Sequence, residues 1–413
     1  MSLRERIFAW LRTTHFRPWA MALPIAVLLV SMPLLRPLAE PAGPGARESM
    51  LLASVESVVR GRGLALDSTW RGRAGTVEIA GRVYASSPPM LAVLLAGPAV
   101  MLERLGITFD RAAPVMAYWL TFFGVTLPVA FASGFIYRST RIFQITRGRR
   151  ILVASACVFG SGWISYAAVL NPHAPAAACL MLAMACLIAV GFAVKPARSV
   201  WVLLLAGQLA ALAAVIDPWT LPLVVPLALV VVAMPMPMLY RALGVVMMTV
   251  GAAPVVWAHS AWSLAAFGSI LPPAWDSPFD RDVMMLDLRR ASAMLLGPTG
   301  LVLIFPMLAV GLAGLWRVIH RNWPAQLKVL GAITLVGAFI VMWAGVSLAE
   351  DRPGESFAAP WALAFAPMMV FWTGGLLVRP LSVPWRIALG LVVFASIASA
   401  LLGMTIYPPP MEL

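Results

Sequence analysis

The sequence predicts an all-α, polytopic transmembrane helical bundle, and three observations carry that expectation. Of 413 residues, 61% are hydrophobic and only 11% are charged, where a soluble domain is about a quarter charged. The mean hydropathy is +0.89. Apolar stretches of roughly 17 to 25 residues, the length that crosses a bilayer as a helix, recur along the whole chain. A cytosolic enzyme, a secreted disulfide scaffold and a disordered chain are excluded together. The bilayer sets the architecture, so residues 1–413 read as a single integral membrane domain.

The elements follow in order. A basic start leads into an apolar run from Trp19 to Leu35 with no small-residue cleavage site, which reads as a retained first span, about 18–36. A long polar stretch, 37–88, comes next, and a short apolar piece, 89–104, opens at the second proline of Pro88-Pro89. Ten further spans are expected at about 112–137, 151–170, 174–194, 199–216, 219–237, 242–258, 299–316, 328–348, 358–378 and 385–405. That makes eleven spans plus one piece that is re-entrant or interfacial. Prolines such as Pro222, Pro226, Pro235 and Pro237 fall inside or beside spans, where neighbouring helices can satisfy the freed backbone groups. The cysteines, Cys157, Cys179 and Cys186, lie inside spans without metal-binding spacing and read as packing residues.

Charge orients the bundle. A net charge of +13 would suggest nucleic acid in a soluble protein. Here the basic residues crowd short inter-span loops, so a nucleic-acid partner is not expected. With a cytoplasmic N-terminus and a non-crossing 89–104, the cytoplasmic segments hold 17 of the 30 Lys and Arg and one acid, Glu5. The run Arg138, Arg141, Arg147, Arg149, Arg150 weighs most. The other 16 acids then fall on the outer side or its boundary, and the C-terminus is outside. Two large outer loops result, 37–111 and 259–298. Long outer loops bearing acids suggest that the chemistry faces outward.

The first outer loop carries an amphipathic pattern. Residues 51, 52, 55, 58 and 59 share one helical face, Glu56 and Arg60 sit four apart on the polar side, and Gly61 and Gly63 can stop the helix. Such a helix lies in the membrane interface. Glu48 opens it, where the helix dipole favours a carboxylate. It is either a cap or a catalytic carboxylate held above the bilayer.

Arg47-Glu48 after the first span, the helix through Val59, the turn Arg60-Gly61-Arg62-Gly63, and then Tyr84-Ala85-Ser86-Ser87-Pro88-Pro89-Met90 stand in that order. Asn171-Pro172-His173-Ala174-Pro175, Ile216-Asp217-Pro218, His259 with Gly268-Ser269-Ile270-Leu271-Pro272, and Leu296-Gly297-Pro298 follow. This succession resembles the polytopic glycosyltransferases of the GT-C class that use polyprenyl-phosphate-linked donors, and most of all their uncharacterised bacterial members. It covers roughly residues 40–310. It departs from the family in having Glu48 where an aspartate is usual, and Ser87 in place of a lysine before Pro-Pro.

The resemblance implies a GT-C-like fold and transfer of a sugar from a polyprenyl-phosphate donor to a lipid, glycan or protein acceptor on the outer face of a bacterial inner membrane. Glu48 is then the base. Arg47, Arg82 and Arg352 are outer cations that either meet phosphate or are ordinary surface charge, and Ser87 offers phosphate a hydrogen bond but no charge. Asn171 and His173 share a turn between spans, and His173 is either bonded to backbone or a site residue for phosphate, acceptor or metal. Asp217 is a turn aspartate or an intramembrane functional acid, and His259 is an interfacial or substrate-binding residue. Asp280 and Asp282 form an Asp-x-Asp pair of the kind that holds a divalent cation, Mg or Mn, through oxygen; a solvated loop is the alternative. A lipid flippase or transporter, or a non-catalytic relative of the family, remain the competing functions.

Overall fold

The computed structural model describes residues 18–32, 46–73, 75–193, 200–270, 288–297, 300–348 and 359–406. Its helices lie where the apolar stretches predicted them. They are α1 (Pro18–Ser31), α2 (Ala46–Val59), α3 (Met90–Arg104), α4 (Phe109–Thr121), α5 (Leu127–Ser139), α6 (Arg147–Phe159), α7 (His173–Gly191) and α8 (Val200–Ile216). After these come α9 (Met238–Phe267), α10 (Met307–His320), α11 (Ala325–Leu348) and α12 (Val383–Ile406). Short helical turns fill Pro218–Val232 and Pro360–Gly375.

Span continuity is where the helices differ from the eleven uninterrupted spans expected. Among the described residues, five helices are long and apolar enough to cross a membrane, or six if the pair Ala291–Ile304 and Met307–His320, bent by 89°, counts as one. Proline accounts for part of the difference. In 218–232, Pro218, Pro222 and Pro226 recur every fourth residue, and each lacks the N–H that would bond one turn back, so helix restarts in pieces. Ahead of Pro128, the run from α4 to α5 widens into a π-turn at Phe122–Thr126, which absorbs the missing bond without ending the helix.

Close packing is achieved with small residues. Helix α7 is buried on nearly every side, and its alanines let neighbours approach. Helices α8 and α9 touch backbone to backbone. A Cβ on Gly207 would lie 1.9 Å from the Met248 carbonyl oxygen, and one on Gly251 would lie 1.9 Å from that of Leu204. Apolar side chains such as Trp201, Trp257, Trp385 and Phe394 stay exposed on the outside of the bundle, as lipid-facing residues of an integral membrane protein do.

The loop 37–111 holds one element the sequence reading did not foresee. Ala65–Leu66 (β1), Thr76–Ile79 (β2) and Arg82–Ala85 (β3) form a small antiparallel sheet in the order β1-β3-β2, with Ala65 opposite Tyr84 and Thr76 opposite Ala85. It covers α2. Met50 and Ala53 of the helix pack with Leu66, Trp70, Val83 and Ala85, while Leu51, Leu52 and Val55 join Leu91, Ala92 and Leu95 of α3 in the main core. Helix α2 is therefore sandwiched rather than laid open on an interface. Its serines are spent internally: the Ser54 hydroxyl donates to the Met50 carbonyl at 2.9 Å, and that of Ser57 donates to the Ala65 carbonyl. Gly61, at φ +73°, ends the helix as its spacing suggested. The predicted Glu56–Arg60 pair is present at 2.8 Å, and Arg60 also reaches Asp110 at 2.6 Å, tying α2 to the start of α4. Burial raises the Glu56 carboxyl pKa, with Arg60 pulling the other way.

Candidate active site

Glu48 sits in the first turn of α2 and is only 7% exposed. It shares the helix face of Leu51, Leu52 and Val55, which the sandwich turns toward α3. A carboxylate in the first helical turn is favoured by the unpaired N–H groups there.

The structure joins two candidates that stand 44 positions apart in the chain. Asp217, 1% exposed, follows the end of α8; His173 opens α7; and His173 Nδ1 lies 2.8 Å from Asp217 Oδ2. The other carboxylate oxygen, Oδ1, accepts the Trp219 backbone N–H at 3.3 Å, and the Thr220 hydroxyl donates to the Asp217 carbonyl at 2.8 Å. Asp217 therefore fixes the imidazole while Pro218 turns the chain. With Nδ1 facing Asp217, the ring's second polar atom is Nε2, and the His173 side chain keeps 16% exposure.

Asn171 braces this turn. Its amide donates to the Tyr166 and Val169 carbonyls, both at 2.7 Å, and its oxygen accepts the Ala174 N–H at 2.9 Å, so three of its four bonding directions go to backbone. The asparagine holds the loop that presents His173.

A small apolar cluster places these groups at one end of the bundle. Met90 at the start of α3, Val215 near the end of α8 and Val255 on α9 pack together, two residues before Asp217 and one turn before His259. His259 is 7% exposed and faces inward on α9 with Ser263, which is fully buried. Beyond them, Phe267 meets Tyr84 of β3 edge-on, with ring centroids 5.6 Å apart. Phe267 and Tyr84 line a small, partly open cleft together with Leu51, Ser54, Ser87, Pro88, Pro89 and Ala92. The predicted segment Tyr84–Met90 is thus a wall of the cleft, opposite the helix that Glu48 opens. Ser87 is exposed at its mouth, and Arg82 is exposed at the start of β3.

Arg352, Asp280 and Asp282 lie outside the described residues, as does the side chain of Arg47. Among the described residues, no group of three or more His, Cys, Asp or Glu is placed to hold a metal ion. Two residues escaped sequence reasoning. Ser263 is legible only as the residue four after His259. Trp361, whose ring centroid lies 5.9 Å from that of Trp219, closes over the Asp217 turn from a segment 144 residues away, and no local signal marks it.

No protein-family model matches the sequence, and no curated protein matches it. Solved structures do match in fold. ArnT from Cupriavidus metallidurans, bound to undecaprenyl phosphate, superposes with a TM-score of 0.54 at 14% identity, covering 94% of this chain and 75% of ArnT. Its apo form gives the same TM-score, covering 93% and 74%. The arabinofuranosyltransferase AftD from Mycobacteria also gives 0.54, at 16% identity, with 94% of this chain matching 26% of AftD. The chain thus resembles, in fold, the membrane glycosyltransferases of the GT-C class.

Proposed function

We propose that this protein is a membrane glycosyltransferase that moves a sugar from a polyprenyl-phosphate-linked donor to a lipid, glycan or protein acceptor. The observation that carries the reading is the position of Glu48: a buried carboxylate in the first turn of the helix whose Leu51 and Ser54 line the cleft, in a fold similar to that of ArnT. That ArnT is solved with undecaprenyl phosphate supports a polyprenyl phosphate as the lipid partner. On the charge pattern this end of the bundle is the outward one.

In this reading Glu48 accepts the proton of the acceptor hydroxyl as that oxygen attacks the anomeric carbon. The carbon–oxygen bond to phosphate breaks, and the polyprenyl phosphate leaves with the bonding electrons. His173, set by Asp217, hydrogen-bonds acceptor or phosphate through Nε2.

The test is transfer of radiolabelled sugar from a polyprenyl-phosphate sugar by the purified chain in lipid vesicles. Glu48→Gln should retain the fold and lose transfer. Undiminished turnover in that variant removes Glu48 as base, and no transfer by the wild type to any lipid, glycan or peptide acceptor removes the reading.

A further inference from the structure

Three segments far apart in the chain meet at the end of the bundle where α5 stops and α6 begins. Residues 138–150, 317–328 and 376–386 carry ten Lys and Arg and no Asp or Glu. Side chains join them. Arg149 donates to the Leu377 carbonyl and Arg317 to that of Leu376. Phe143 meets Trp323 edge-on, with ring centroids 5.8 Å apart, and its ring lies against Gly374. Next to these joins stand three exposed arginines: Arg141 two residues before Phe143, Arg321 two before Trp323, and Arg379 two after Leu377. In the first outer loop, by contrast, arginines are matched by carboxylates: Arg60 by Glu56 and Asp110, Arg62 by Asp67, and Arg71 by Glu78. The three basic segments supply no carboxylate of their own.

We propose that Arg141, Arg321 and Arg379 form a binding site for the headgroup of an anionic phospholipid of the bilayer, filled best by a headgroup with two phosphates. A guanidinium is always charged and bonds phosphate oxygens in pairs. Cations gathered on one acid-free surface repel one another, and a polyanion removes that repulsion. The backbone does not oppose the anion, because Arg149 and Arg317 cover the carbonyls of Leu377 and Leu376, the negative end of the helical segment that finishes there. Lipid fits better than a soluble anion, because exposed apolar side chains flank the cations. Val378 adjoins Arg379, and Leu312 and Trp316, one turn apart on α10, lead to the turn that holds Arg321. Tryptophan at such a boundary marks headgroup depth. Membrane orientation asks only for cations in the loops beside the spans; it does not ask that three segments be brought together. On the charge pattern this end is the inner one, so the lipid is one of the cytoplasmic leaflet. The site lies at the other end of the bundle from Glu48 and is independent of the sugar-transfer reading.

The experiment is native mass spectrometry of the full chain released from detergent micelles, counting bound lipid during titration. The probes are tetraoleoyl cardiolipin, with two phosphates, and zwitterionic dioleoylphosphatidylcholine. The wild type is expected to bind its first cardiolipin about tenfold or more tighter than its first phosphatidylcholine. Arg141→Gln, Arg321→Gln and Arg379→Gln should each weaken cardiolipin binding by about fivefold, the scale of one cation at an anionic lipid surface. Phosphatidylcholine binding and the thermal midpoint without added lipid should stay the same, because all three side chains are exposed. If one variant does not fold, the other two decide. Arg62→Gln, which removes an exposed cation from the first outer loop, should leave cardiolipin binding unchanged. Equal binding of the two lipids by the wild type overturns the site, and so does full cardiolipin preference in the folded variants. An equal loss in Arg62→Gln reduces the effect to net charge and overturns it too. Pyrophosphate, with two phosphates and no acyl chain, should not displace cardiolipin at equal concentration; displacement overturns the assignment to lipid. Each of these outcomes leaves the role of Glu48 untouched.

Discussion

The two ends of the bundle handle their polar groups in opposite ways. At the end where α5 stops and α6 begins, cations are spent on carbonyls. Arg149 donates to the Leu377 carbonyl at 2.7 Å and Arg317 to that of Leu376 at 3.5 Å, where a broken helical segment finishes. Arg150, 7% exposed, donates to the Tyr137 carbonyl at 3.3 Å and lies 4.6 Å from the Tyr137 ring centroid. These are favourable pairings of guanidinium with helix C-termini and an aromatic face. At the other end, where α7 begins and α8 stops, the buried groups are carboxylates and imidazoles, and two of the polar atoms on α9 are unbonded. The first end pairs its buried guanidinium groups with carbonyls, although the Tyr137 and Thr373 hydroxyls there are buried without a hydrogen-bond partner. The second end pairs His173 with Asp217 and buries His259 and Ser263.

Variants at each end sharpen or break this contrast. The largest effect is expected from Glu48→Gln: transfer falls by about 10²-fold or more, the scale of general-base catalysis, with the thermal midpoint unchanged. Joint loss of activity and fold would make Glu48 a structural cap and erase the contrast. Arg150→Ala is the mirror case. Stability, measured by thermal unfolding in detergent, should drop by about 1.5 to 3 kcal/mol, the range for a hydrogen bond to a charged group, while transfer per folded molecule stays the same. A catalytic defect in folded Arg150→Ala would show that the basic end is not merely structural.

Asp217→Asn keeps shape but weakens the hold on His173. Transfer kinetics should show kcat lower by about tenfold, equivalent to about 1.4 kcal/mol, with KM nearly constant. A rise in KM alone would move His173 from positioning to ground-state binding. The smallest effect is expected at Arg60→Ala. Its pair with Asp110 is solvent-exposed and that with Glu56 half-exposed, so unfolding should shift by about 1 kcal/mol or less, with transfer unaffected.

Several features were legible in the chain by itself. Hydropathy placed the helices, since each apolar stretch coincides with a helix or a run of helical turns, and the spacing of Glu56, Arg60, Gly61 and Gly63 marked the pairing and the end of α2. These properties depend on residues within a turn or two of one another, where propensity and sterics act directly. The candidate residues Glu48, His173, Asp217 and His259 were also visible one by one, because a polar residue among apolar neighbours stands out.

Their arrangement was not legible. His173 and Asp217 meet only because α7 packs on α8, and α8 meets α9 only because Gly207 and Gly251 face each other's partner backbone. The sheet that covers α2 was hidden because its strands are two to four residues long and its register depends on Met50 and Trp70 beneath it. That the Asn171 amide bonds the Tyr166 and Val169 carbonyls and its oxygen the Ala174 N–H depends on the fold of the turn between α6 and α7. Local sequence determined the helices and the inventory of chemistry-bearing side chains. Only the tertiary packing decided which of them share a site and which are already spent, because hydrogen bonding and burial act over distances that chain separation does not encode.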